Sequence, residues 1–188
     1  MKGVFAATGL TIAVFLSMQG DSSAATVYST FMSQTAGCGT AVNKHLCVTL
    51  TKVQTNTAVE VAKRSVATNT DSETLATWSG TVECTVQGQP LSANHFEAEA
   101  DIAFQLQSEG TPIDAGGPGG GSAGFRQTQP VAFIHRYVEN ITLTRLFEKP
   151  TALLRVLAKP TFKNGTNATC TVKGGQFTWT TVNKNTTK

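Results

Sequence analysis

Side-chain character alternates over the stretch from Thr74 to Gln107. Trp78, Val82, Cys84 and Val86 fall on one parity, and Thr77, Ser79, Thr81, Glu83, Thr85 and Gln87 on the other. Successive strand side chains point to opposite faces, so the pattern predicts a half-buried strand. A turn-rich break follows at Gly88-Gln89-Pro90. Beyond it Phe96, Ala98, Ala100, Ile102, Phe104 and Leu106 alternate with His95, Glu97, Glu99, Asp101 and Gln105. The two runs are expected to form an antiparallel pair with one apolar and one wet face.

The same alternation returns in Ala168 to Val182, where Gly174-Gly175 offers the positive backbone angles of a two-residue hairpin turn. Around that turn Val172 would lie opposite Phe177 and Cys170 opposite Trp179. Thr171 would meet Thr178, and Lys173 would meet Gln176, on the other face. A one-residue slip would send the wrong set inward, so the pairing pattern itself predicts the hairpin.

Elsewhere the pattern is less regular. Thr26 to Gln34 reads as a weak strand or an extended arm, and Thr35 to Lys44 as a loop leading to a strand over His45 to Val53. Ala58 to Val66 suits either a strand or two helical turns, and Ala67 to Glu73 is loop. Ser108 to Pro130 is long, Gly-rich and poor in apolar residues, which predicts a surface loop. It lacks the Lys-Ser/Thr ending of a phosphate-binding loop.

Val131 to Phe147 places Ile141, Leu143 and Phe147 on one parity, but Phe133 and Ile134 are adjacent, so a bulge or break is expected near Glu139-Asn140. Thr151 to Phe162, bounded by Pro150 and Pro160, is apolar on both parities and suits a central strand, with a short helix as the alternative. Cys84 and Cys170 each open a CTV-x-G string, a shared strand-then-turn requirement rather than proof of duplication. Some seven to nine strands separated by Gly and Pro predict an all-β antiparallel sandwich. It is immunoglobulin-like in architecture only, since no tryptophan lies between Cys84 and Cys170.

The amino end changes the picture. Lys2, an apolar run from Val4 to about Met18, and small residues at Ser22-Ser23-Ala24-Ala25 have the form of a secretory signal peptide, with cleavage after Ala25. Residues 26–188 are then expected to form a single secreted domain, extracellular, or periplasmic in a Gram-negative source. No later run is long and apolar enough to predict a membrane span, and the polar tail has no glycolipid-anchor signal.

In an exported chain Cys38, Cys47, Cys84 and Cys170 imply two disulfides. Cys84 and Cys170 both point inward near a tryptophan, which favours one buried bridge joining the two hairpins. Cys47 lies on the parity opposite Leu46, Val48 and Leu50, so a local link to Cys38 is the simpler second bridge.

Charge is unevenly spread: Thr26 to Gly120 carries four Lys/Arg against nine Asp/Glu, and Gly121 to Lys188 ten against two. The two sets could pair across neighbouring strands and cancel. If they segregate instead, Arg136, Arg145, Lys149, Arg155, Lys159 and Lys163 would form a face for an anionic polymer or for another copy of the chain. Nucleic acid is not expected as a partner.

Candidate chemistry is sparse. His45, His95 and His135 are scattered, no serine sits in a G-x-S-x-G elbow, and His95, Glu97, Glu99 and Asp101 are spread along a strand too widely for one ion. No catalytic, cofactor or metal site is expected. N-x-S/T triplets begin at Asn140, Asn164, Asn167 and Asn185, possible glycosylation sites in a eukaryotic source. The expected function is non-enzymatic: binding or assembly at a cell surface or in a secreted matrix, by adhesion or self-association. The alternatives are a carbohydrate-binding module using Trp78, Trp179, Tyr28 or Tyr137, and a secreted hydrolase or hydrolase inhibitor.

Overall fold

The computed structural model describes residues 26–32, 47–66, 72–108, 113, 116–163 and 167–183. The predicted signal peptide, Cys38, His45, Asn164 and Asn185 lie outside the described residues. Within them ten strands form two antiparallel sheets packed together. They are β1 (Thr26–Met32), β2 (Cys47–Thr51), β3 (Val59–Ser65), β4 (Ser72–Gln87), β5 (Gln89–Ser92), β6 (His95–Gln107), β7 (Gly120–Gln129), β8 (Ile134–Phe147), β9 (Leu153–Lys163) and β10 (Asn167–Asn183).

In the first sheet β10 pairs with β4 along its whole length, and β4 pairs in turn with β8. The other edge of β10 is shared end to end: β2 takes Thr169 to Lys173, and β1 takes Gly175 to Thr181. In the second sheet β9 lies between β3 and β6. Phe96 of β6 pairs with both Pro90 and Gln129, so β5 and β7 lie on opposite edges of β6.

The apolar inner faces are those the alternation predicted, but the opposite face of β6 is not the uniformly wet one expected, since Glu97 and Gln105 are buried there. Trp78, Val82, Leu143, Val172 and Phe177 of one sheet meet Ile102, Phe104, Leu106, Leu154 and Val156 of the other, all essentially buried. The Trp78 and Phe104 rings stack at 6.3 Å between centroids. Each such side chain contributes roughly 1.5–3 kcal/mol by leaving water. Cys84 and Cys170 are bonded, but as register partners on adjacent strands of one sheet, with Cα atoms 4.0 Å apart. The bridge therefore staples β4 to β10 rather than joining two hairpins. Cys47 is also disulfide-bonded.

Several expectations are corrected. The β4 and β6 runs do not pair; they lie in opposite sheets and face each other across the core. The chain changes sheet at Gly88, whose N–H donates to Phe133 O at 3.1 Å, and β5 supplies the hairpin partner of β6. Alternation specifies a strand's buried face, and both arrangements satisfy it equally.

Gly174-Gly175 is no hairpin turn either. β10 runs straight through it with a bulge, advancing three residues from Lys173 to Gln176 while β4 advances two from Thr81 to Ser79. The extra residue restores Phe177 and Trp179 to the face of Cys170 and Val172, the sorting that a two-residue turn would also have given. Gly175 has φ +151, and a Cβ there would lie 2.6 Å from Trp78 Nε1, so glycine serves close packing.

The predicted loop Ser108 to Pro130 contains β7, which pairs with β6 from Gly120 to Gln129. A Cβ at Gly121 would meet Leu143 Cδ2 at 2.8 Å, so the small residue lets this strand approach the first sheet. β8 passes Glu139-Asn140 without a register shift, because it begins at Ile134 and leaves Phe133 outside. Ala58 to Val66 resolves as strand β3, and Thr151 to Phe162 as the central strand β9.

Pro160 lies inside β9 rather than at its end, opposite Ile102. Its carbonyl accepts Asn56 N–H at 2.8 Å on the β3 side, past the end of β3. The N–H that proline lacks would have pointed to that same side, so no bond to β6 is lost. The described part of the expected arm, Thr26–Met32, pairs within its own chain, as β1 along β10.

Candidate binding surface

Because β4 turns Trp78, Val82, Cys84 and Val86 inward, it must turn Leu75, Thr77, Ser79, Thr81 and Glu83 outward. The unbroken β4–β8 register then sets Leu146, Thr144, Thr142, Asn140, Val138, Arg136 and Ile134 on the same outer face. Polar side chains meet across the strands in three successive rows. Thr77 and Thr144 hydroxyls lie 3.1 Å apart, Ser79 and Thr142 hydroxyls 3.2 Å, and Thr81 Oγ1 donates to Asn140 Oδ1 at 2.9 Å.

Aliphatic residues border these rows. Leu75 and Leu146 are register partners and are 48% and 50% exposed. Toward the other end Val138 and Ile134 are 57% and 74% exposed. Between them sits Glu83, ion-paired with Lys173 of β10 and Arg136 of β8. The Lys173 ammonium, bonded to Glu83, holds its carboxyl below the ordinary value, and Arg136 adds to the effect.

The inward side of β8 carries Tyr137, Glu139 and Arg145, and of these Tyr137 and Arg145 tie it to the second sheet. Tyr137 packs on Phe125 of β7 at 5.5 Å, and its hydroxyl donates to Glu139. Burial, with the Glu139 carboxylate beside it, pushes the phenol up to about 12. Arg145 lies over the Phe147 ring at 5.0 Å, and its Nη1 donates to Leu106 O at 3.2 Å. A cavity of about 440 Å³ opens at the β8–β9 corner, lined among others by Arg145, Phe147, Glu148, Lys149 and Pro150.

The six cations singled out in the sequence do not share one face. Arg145 and Lys149 come together at that corner cavity. Arg136 lies on the outer face of the first sheet with Glu83, whereas Arg155, Lys159 and Lys163 belong to β9 in the second. Arg155 bonds Glu60 at 2.7 Å, and Lys163 bonds Glu99 at 3.0 Å and lies 3.7 Å from Asp101. The bond to Glu99 raises Lys163 above its ordinary value.

The β6 acidic row is thus ion-paired rather than simply solvated, with Arg126 bonding Glu97 at 2.8 Å from β7. Opposite charges from the two halves of the chain meet across strands because β6 and β9, and β4 and β8, are neighbours. No group of three or more His, Cys, Asp or Glu that could hold a metal occurs among the described residues.

His95 and His135 are exposed and lie on strands of different sheets. Asn140 is exposed in the middle of β8, and Asn167 at the start of β10 donates to Gln87 Oε1 at 3.4 Å. Trp78 and Trp179 are buried, which removes both from any sugar platform, and Tyr28 lies opposite Trp179 in the β1 register. The outer face of β8 was missed in the sequence, although Thr142 and Thr144 already alternated there with Ile141 and Leu143. No protein-family model matches this chain, and no curated protein matches it.

Proposed function

We propose that this protein works without catalysis, as an extracellular β-sandwich that binds or assembles through the outer face of the β4–β8 sheet. One observation supports the reading above others. Hydroxyl and amide groups lie in three cross-strand rows between exposed aliphatic borders, along an extended face rather than around one reacting point. Such a surface suits a flat or extended partner, with the polar rows giving orientation and the aliphatic borders giving apolar contact. Action at a cell surface or in a secreted matrix belongs to the same proposal.

A second reading, binding of an anionic polysaccharide, draws on Arg145 and Lys149 at the β8–β9 cavity. Sedimentation velocity of the secreted chain over a wide concentration range, together with a glycan array that includes sulfated and uronic acid polymers, tests both. Concentration-dependent association supports assembly, and selective retention of acidic glycans supports the second reading. A chain that stays monomeric and retains no glycan overturns the proposal.

A further inference from the structure

Sheet edges differ in how well they resist pairing with another chain. Natural sheets protect edges with short strands, bulges, lysines and prolines. β3 is short, shifts register between Glu60 and Ala62, and carries Lys63 and Arg64. β5 has four residues, one of them Pro90.

β8 lacks the short length, bulge, proline and lysine of those edges, and its one outward charge, Arg136, is ion-paired with Glu83. It runs 14 residues without proline, lysine or bulge, pairs with β4 at every position, and has no strand on its other edge among the described residues. Charged residues on the inward side of a strand can also deter pairing, but those of β8 are engaged within the chain. Glu139 accepts from Tyr137, and Arg145 donates to Leu106 O.

The residues along this edge are also self-complementary. In a two-fold antiparallel pair centred on Asn140, Ile134 of one copy faces Leu146 of the other, Arg136 faces Thr144, and Val138 faces Thr142. The two exposed end aliphatics come into contact, twice by symmetry, and no ion on the outer face meets a like charge. Inward, Tyr137 faces Leu143, Glu139 faces Ile141, and His135 faces Arg145. Centring on Val138 or Thr142 would leave one end of the strand overhanging, centring on Glu139 would leave Leu146 unpaired, and centring on Ile141 would leave Ile134 unpaired and set Leu146 against Arg136. The Asn140 register keeps Ile134 to Leu146 paired throughout.

We infer that the occupant of this edge is a second copy of the chain, joined β8 to β8 so that the first sheet continues through both copies. This deepens the assembly reading and rests on it. Val138 and Thr142 are exposed and outward, so they can be exchanged with little effect on the monomer.

The test is sedimentation velocity on three chains, with near-ultraviolet circular dichroism to establish that each is folded. The wild type should dimerise. V138K/T142K sets lysine against lysine twice and should weaken association by about tenfold or more. V138K/T142E sets lysine against glutamate in this register only, and should recover it. Three results would each overturn the inference: a monomeric wild type, undiminished association of V138K/T142K, or no recovery in V138K/T142E. Association that ignores these positions, or glycan retention by a monomer, leaves the broader binding proposal standing while this one fails.

Discussion

Replacement of Gly175 by alanine tests the bulge that organises β10. The added Cβ would lie 2.6 Å from Trp78 Nε1, 2.7 Å from Ser79 O and 3.0 Å from Trp78 Cε2. Neither neighbour can withdraw cheaply. Trp78 is fully buried against Phe104, and the Ser79 carbonyl belongs to the backbone of β4. The φ of +151 is itself unfavourable for a residue with a side chain.

Backbone strain of roughly 1–3 kcal/mol and overpacking of a similar size combine to about 2–6 kcal/mol. For a domain of this length that corresponds to a fall in Tm of roughly 4–24 °C. Urea unfolding followed by tryptophan fluorescence reads the change, with Gly175→Asn as the discriminating partner. A two-residue hairpin turn accepts asparagine readily, whereas the bulge must reject it at least as strongly as alanine. If either variant unfolds within about 0.5 kcal/mol of the wild type, the packing argument is wrong.

Two further outcomes are expected. Cys84→Ala/Cys170→Ala should lose roughly 4–5 kcal/mol in urea unfolding, from a bridge closing a sequence separation of 86, and a loss under about 1 kcal/mol would show that strand pairing alone holds β4 to β10. Glu83→Gln should be less stable than the wild type at neutral pH. Because the folded carboxyl is depressed, that advantage is full above the unfolded value of 4.5 and disappears as pH falls through the folded value. Thermal unfolding of both chains across the acid range reads the gap, and a gap unchanged in acid would refute the ion-pair account.

The sequence by itself determined which way side chains point. Trp78, Cys84, Phe104, Cys170 and Trp179 are all buried, as period-two alternation required, and the Cys84–Cys170 bond follows from two inward cysteines in one core. A strand's face depends on its own residues, so a local pattern suffices to set it.

Which strand pairs with which was decided only by the tertiary structure. β4 and β6 carry matching alternation, yet they face each other across the core. A bulge and a hairpin sort Val172 and Phe177 identically, and what separates them is the pairing of β10 with β4 on both sides of Gly174-Gly175, with Gly175 packed against Trp78. The same holds for charge: whether Glu83 meets Arg136, or Glu99 meets Lys163, depends on strand order. The open edge of β8 is likewise a property of topology. Backbone hydrogen bonding between strands is nearly indifferent to side-chain identity, so partner choice emerges only when the whole core is packed.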